Sequence, residues 1–282
     1  MAADLTVEPV SGALGAEVTG VDLTHAADLD ETTVKAIREA WLDHHVLFFR
    51  GQRGLSPTQL QQFGRRFGEL DTPPFVEGMT EHPEVIEIVT EPDDRFNFGG
   101  GWHTDVTFLE KPDLGSILHG VDVPPFGGDT LFANQHVAYD TLSDGMKALI
   151  DPLVALHSPG PQYAEGGYST KSKSMKTKNA DRTDTVVRHP LVRTHPETGR
   201  KGLYVNRAFT IGIEGMKAHE SQPLLEQLFV HAVREPFTCR FRWQPDSVAM
   251  WDNRSVQHYA LYDYRGHRRR MRRITIRGDR PR

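Results

Sequence analysis

One cysteine, no long apolar run and no surplus of basic charge: these shortages narrow the field before any motif is read. Cys239 stands alone among 282 residues, so no internal disulfide framework exists, and a reducing, cytoplasmic setting is expected. No stretch of about 18 apolar residues occurs, and the opening MAADLTVEPV carries early acidic residues without an apolar core, so neither a membrane span nor a signal peptide is expected. The 33 Lys and Arg are outnumbered by 38 Asp and Glu, for a formal charge of -5. That balance supplies no general basic field, which argues against nucleic acid or an anionic membrane as partner. No internal repeat and no domain linker stand out, so a single domain over 1–282 is expected.

What is present reads as helices first and strands later. Asp30 is placed to cap a helix with Val34, Ile37, Trp41 and Leu42 on one stripe. Ser56-Pro57 opens a second with Leu60, Phe63 and Phe67 aligned, and a third follows Ser221 through Leu224, Leu225, Leu228 and Phe229. VLFF (46–49), VIEIV (85–89), SVAMW (247–251) and RITI (273–276) read as strands. Strands dominate the second half without regular helical interleaving, so a mainly β barrel or sandwich with helices outside is expected. Two stretches differ in composition: glycine-rich EPDDRFNFGGG (91–101) and polar GGYSTKSKSMKTKNADRTD (166–184). Both suit either a surface loop or an active-site lid, and the second lies within a possible lid at about 160–185.

His103-Thr104-Asp105 has metal-ligand spacing, but 14 histidines and 38 acidic residues produce about two His-x-Asp/Glu matches by chance. Three occur. His82-Pro83-Glu84 and His195-Pro196-Glu197 each carry a proline that suits a turn. GGGWHTDVTF instead places His103 and Asp105 at the start of a β-prone run, where residues i and i+2 share a face about 6.5–7 Å apart. A second, distant histidine would complete two imidazoles and one carboxylate, a set that leaves open positions on iron(II). His258 is the best third ligand, because His267 sits among arginines that make a metal site costlier. Asn253-Arg254-Ser255 has the form of a glycosylation sequon, which an intracellular chain makes irrelevant.

The arginines after His258 alternate. A strand over 268–276 puts Arg269, Met271, Arg273 and Thr275 on one face and Arg270, Arg272, Ile274 and Ile276 on the other. The pattern suits either a solvated basic edge or two arginines turned into a barrel lumen. In the second case each buried guanidinium demands an anion, and its planar fork pairs with a carboxylate.

Together these features resemble the taurine and 2,4-dichlorophenoxyacetate dioxygenase family. The stretches that carry the resemblance are GAEVTGVDL (15–23), WHTDVTF (102–108), GGDTLFAN (127–134), HPLVRTHPETGRKGLYVN (189–206) and WDNRSVQHYA (251–260), which stand in the family's order over nearly the whole chain. The resemblance implies a double-stranded β-helix, or jelly roll, and an iron(II)-, 2-oxoglutarate- and O2-dependent hydroxylation of a small anionic organic substrate. It implies His103, Asp105 and His258 as iron ligands and Thr130 and Arg269 as the hold on 2-oxoglutarate. Arg273 is implied as the substrate-anion contact, with Val106, Phe209 and Gly99 beside the substrate. A homo-oligomer is also implied.

Departures bear on the substrate. Gly99 stands where taurine enzymes have asparagine and Pro73 where they have histidine, which suggests an anion with a larger or more apolar body than taurine. HSPG (157–160) and IEGM (213–216) lean toward phenoxypropionate-type enzymes. Sulfonates, alkyl sulfates and phenoxyalkanoates all remain candidates, with oxidative release of a leaving group where the hydroxylated carbon bears an oxygen substituent. Two rival readings use the same residues: a non-enzymatic jelly-roll binder and a zinc hydrolase.

Overall fold

A computed structural model of the chain describes residues 5–172 and 174–282, without the side chain of Ala180. Residues 1–4, in the segment where no signal peptide is expected, and Lys173 of the expected lid lie outside the described residues. Fifteen strands follow in order: β1 (Thr6–Pro9), β2 (Ala16–Thr19), β3 (Val46–Phe49), β4 (Ile86–Thr90), β5 (Gly115–Asp122), β6 (Thr130–Asn134), β7 (Val154–His157) and β8 (Val187–Pro190) come first. Then come β9 (Val192–Thr194), β10 (Lys201–Leu203), β11 (Thr210–Ile213), β12 (Thr238–Phe241), β13 (Val248–Asp252), β14 (Val256–Ala260) and β15 (Arg269–Ile276). Seven form one sheet in the order β1-β2-β3-β13-β5-β15-β4, and β12-β6-β14, β11-β7-β8 and β10-β9 form smaller ones. All pairings are antiparallel except β2 with β3. The fold is mainly β with flanking helices, as expected.

Along β3 and β13 the large sheet is buried on both faces, which explains why VLFF and VAMW are apolar throughout. Val46, Phe48, Ala249, Trp251 and Met271 face a core shared with Phe132, Phe241 and Val256 of the smaller strands. Phe48 and Phe241 stack across it with centroids 4.0 Å apart. Their alternating neighbours Leu47, Phe49, Met250, Ile274 and Ile276 face the other way, onto Trp41, Leu60 and Phe63 of two helices.

Those helices are Glu31–His44, capped by the Asp30 carboxylate on Thr33 N, and Pro57–Arg65, which Ser56 and Gln59 close with a capping box. Ala40 takes the buried place expected for Leu42, which is half-buried. Phe67 is buried but lies past the end of its helix. The third helix is Ala218–His231, beginning before Ser221 and carrying Pro223 within it. Its Leu225, Leu228 and Phe229 pack on Leu191, Val192, Leu203 and Val205, outside the smaller strands. Strand boundaries shift by one residue at β4 and β13, and β15 is longer than RITI.

β15 decides the reading of the arginines. It lies between β5 and β4, so it is not an edge. Met271 belongs to the inner core and Ile274 to the outer one, which turns Arg269 and Arg273 inward. Arg270 and Arg272 take the opposite face, toward Glu87 on β4.

Candidate metal centre

His103, Asp105 and His258 come together as the sequence suggests, but a turn rather than a strand brings them there. His103 forms an isolated antiparallel bridge with His258 of β14, through paired backbone hydrogen bonds of 3.0 and 2.8 Å. The chain then leaves the extended conformation, and Asp105–Phe108 is a turn closed by Leu109 N donating to Val106 O. Val106 adopts a left-handed backbone with φ 43°, which is strained for a β-branched residue. What outweighs the local β preference is the anchoring of Thr107: its fully buried hydroxyl meets His157 Nδ1 at 3.0 Å and Asn206 Nδ2 at 3.2 Å.

The ligand atoms of the three residues all lie within 4.8 Å of one another. His103 Nδ1 donates to Gly101 O at 2.8 Å, so its Nε2 presents a lone pair, and the Nε2 atoms of both histidines face Asp105 Oδ1 at 3.7 and 3.8 Å. Burial pulls both imidazoles below their ordinary range, which keeps them neutral. Burial alone would raise the Asp105 carboxyl. The Arg273 guanidinium, the two histidines and the Ser116 hydroxyl together outweigh it and hold the group well below the usual carboxylate range. Ser116 Oγ donates to Oδ2 at 2.7 Å and Arg273 Nη1 to Oδ1 at 2.9 Å. Two neutral imidazoles and an ionised carboxylate are a donor set that suits a divalent first-row metal.

Next to this triad lies a chamber lined by Thr130, Trp251, His258, Arg269 and Arg273. Thr130 is on β6 opposite Ala260, two residues past His258. Its Oγ1 accepts from Trp243 Nε1 at 2.9 Å, which leaves its own O–H to donate into the chamber. Arg269 is buried, with Nε and Nη2 lacking any hydrogen-bond partner among the described residues. Burial pulls its guanidinium below its ordinary range, and only Tyr264 and Asp129 act against that. Such a group fits an anionic ligand entering beside the triad.

The other side of the triad opens into a cleft lined by Gly99, Val106, Tyr163, Phe209 and Arg273. Gly99 has φ 79°, so glycine serves the backbone there, and a Cβ would meet His103 Cε1 only at ordinary contact distance, 3.6 Å. Phe209 packs edge-on to His103 at 6.3 Å. Residues 98–101 of the stretch 91–101 therefore line the cleft, while Pro92, Asp93, Arg95 and Phe96 are exposed. Residues of 160–185 also wall it: Gln162, Tyr163 and Ser169 line the opening, and Tyr168 Oη donates to Asn97 Oδ1 at 3.3 Å.

A family model described as taurine catabolism dioxygenase TauD, TfdA family, matches residues 6–275. This chain belongs to that family. It is 38% identical to an alpha-ketoglutarate-dependent sulfate ester dioxygenase of Pseudomonas putida, covering 99% of this chain and 92% of that one. It is 36% identical to an alkylsulfatase of Acinetobacter baylyi, covering 98% and 86%. A solved structure described as a putative alpha-ketoglutarate-dependent taurine dioxygenase from Burkholderia xenovorans superposes with a TM-score of 0.82 at 38% identity, over 99% of this chain and 91% of that one.

Two buried groups of this family member escape sequence reading. His195-Pro196-Glu197 is a turn, as expected, but its side chains are far from idle. His195 Nε2 meets Asp252 Oδ2 at 3.0 Å, and Arg254 joins Asp252 to Glu197 at 2.7 and 2.5 Å. Burial would raise the Asp252 carboxyl, yet Arg254 and His195 hold it well below the carboxylate range. Asn253 of the apparent sequon is buried here too. The second group is Asp113, buried in a small chamber with Arg273. His267 lies away from the metal cluster and packs on Phe126. Cys239 packs in the inner core, its thiol pushed up to about 12 by burial. Among the described residues no helix is long and apolar enough to cross a membrane.

Proposed function

We propose that the chain is an iron(II)- and 2-oxoglutarate-dependent dioxygenase acting on a small organic anion, with sulfate esters as the leading substrate class. The observation that carries this reading is a buried His-Asp-His cluster sharing a chamber with a buried, unpaired Arg269. His103, Asp105 and His258 would hold the iron, and Arg269 with the Thr130 hydroxyl would hold the far carboxylate of 2-oxoglutarate. When bound, the metal supplies oxygen activation coupled to decarboxylation of the cosubstrate and hydroxylation of a substrate carbon. The chain's own residues orient and exclude. Arg273 faces the substrate anion, Phe209, Val106 and Gly99 shape the space beside His103, and residues 160–185 form a lid over it.

A double-stranded β-helix in one domain is the architecture we assign to this strand arrangement, and a homo-oligomer its working state. Sulfate esters lead because relatives at 36% and 38% identity are an alkylsulfatase and a sulfate ester dioxygenase, against 33% for a phenoxypropionate dioxygenase of Sphingobium herbicidovorans. Hydroxylation of a carbon bearing the ester oxygen gives a hemiacetal-like product that collapses to an aldehyde and inorganic sulfate. Succinate release measured over alkyl sulfates, sulfonates, phenoxyalkanoates and amino acids tests this. Turnover of alkyl sulfates is expected, and turnover confined to amino acids would refute the substrate class.

A further inference from the structure

A second, smaller chamber, lined by Pro73, Phe75, Val76, Ile86, Asp113 and Thr275, shares Val106, Tyr163 and Arg273 with the cleft. Its walls combine apolar side chains with the polar groups of Asp113, Thr275 and Arg273. Asp113 is 4% exposed, with Thr275 as its hydrogen-bond partner. Arg273, in the same chamber, commits Nη1 to Asp105, and its Nε is buried without a hydrogen-bond partner among the described residues. A carboxyl group in an anion-binding chamber is a contradiction unless the carboxyl carries a proton.

We propose that Asp113 is a specificity-determining residue that donates a hydrogen bond to one oxygen of the substrate's anionic head while Arg273 binds the others. This inference rests on the functional reading above and names the head group. A sulfate ester or sulfonate has three terminal oxygens and a carboxylate two. In a chamber walled by Phe75, Val76 and Ile86, each oxygen left without a donor forfeits its hydration uncompensated. One arginine fork satisfies two oxygens. A further donor is useful to a tetrahedral head and superfluous to a planar one.

The charge setting agrees. Burial, then the carboxylates of Asp105 and Asp71, push Asp113 up to about 8, against Arg273 and Thr275, which pull it down. Tyr163 lines the same chamber and Tyr204 also senses Asp113. Burial pushes both phenols up to about 12, so neither ionises near neutrality. At pH 7 Asp113 is therefore a carboxylic acid, and above pH 8 a carboxylate facing the anion.

Calorimetry under nitrogen, on protein loaded with iron(II) and 2-oxoglutarate, tests this with hexyl sulfate and 2-phenoxypropionate. Wild-type affinity for hexyl sulfate is expected to fall about tenfold between pH 7 and pH 9, as the proton is lost. Asp113→Asn, whose amide donates at both pH values, keeps the pH 7 affinity within about threefold and loses the pH dependence. Asp113→Ala weakens hexyl sulfate about tenfold or more at pH 7 and the carboxylate far less. Unchanged 2-oxoglutarate affinity certifies that the variants fold. An Asp113→Asn profile parallel to wild type, equal losses for both ligands in Asp113→Ala, or no hexyl sulfate binding by protein that binds 2-oxoglutarate each overturns the proposal. Failure of wild type to bind 2-oxoglutarate sinks the functional reading itself.

Discussion

Arg273 Nη1 donates to Asp105 Oδ1 at 2.9 Å, so the residue assigned to the substrate anion also grips the carboxylate of the metal triad. The two jobs share one guanidinium: Nη1 orients Asp105 while Nε stays free. Arg273→Lys keeps the charge but loses the planar fork. We expect a rise in substrate KM of at least about tenfold with 2-oxoglutarate affinity within about threefold, because one good charged hydrogen bond is worth about 1.5–3 kcal/mol. Steady-state kinetics in both substrates measures the split, and a loss confined to 2-oxoglutarate would mean the two arginines are exchanged.

Arg269 makes the complementary case. A buried guanidinium with two unpartnered nitrogens destabilises the ligand-free protein relative to an apolar residue of similar length. Arg269→Met is expected to raise the melting temperature without 2-oxoglutarate. The same change should weaken 2-oxoglutarate by about 2–5 kcal/mol. Thermal melts with and without the cosubstrate show both. A variant that melts lower and binds as wild type contradicts the assignment.

Val106 tests the turn. In ordinary backbone glycine is less stable than alanine by about 0.5–1 kcal/mol. At φ 43° a left-handed residue with a Cβ costs about 1–2 kcal/mol, so the order reverses and Val106→Gly should be more stable than Val106→Ala by about 1 kcal/mol. Urea melts of the pair decide it, and the usual order would remove strain from the account.

Acid should unfold the protein through its buried histidines. Burial, His136 and Arg200 pull His45 down to about 3, and burial pulls His136 down to about 4. Both are neutral when folded, whereas the unfolded chain gains protons below about pH 6.5. The unfolded state thus binds more protons between pH 6.5 and 4, and stability falls as pH falls through that window. His136→Gln is expected to flatten the slope by about 1.4 kcal/mol per pH unit. Denaturant midpoints from pH 7 to 4.5 measure it, and an unchanged slope would contradict the expectation.

Much of this was legible in the residues. The helix caps at Asp30 and Ser56 use local chemistry, and the parity of Arg269 and Arg273 follows from two-residue periodicity once β15 is a strand. The failures are tertiary. His103 and Asp105 converge through a turn that Thr107, His157 and Asn206 impose from 50 and 99 residues away, and no local signal marks it. Asp113 reads as an ordinary loop aspartate beside Pro112, because its environment is made by Arg273 and Thr275 on a strand at the far end of the chain. His195 reads as part of a proline turn, although its partner Asp252 sits two residues from Arg254 within WDNRSVQHYA.

The central claim is that His103, Asp105 and His258 hold an iron that couples 2-oxoglutarate decarboxylation to substrate oxidation. Succinate formed per minute from 2-oxoglutarate and an alkyl sulfate in air, with iron(II), with zinc(II), and in His103→Ala with iron(II), tests it most directly. Turnover is expected in the first case alone, and none without oxygen. Turnover that persists in His103→Ala, or that proceeds with zinc in the absence of oxygen, would contradict it.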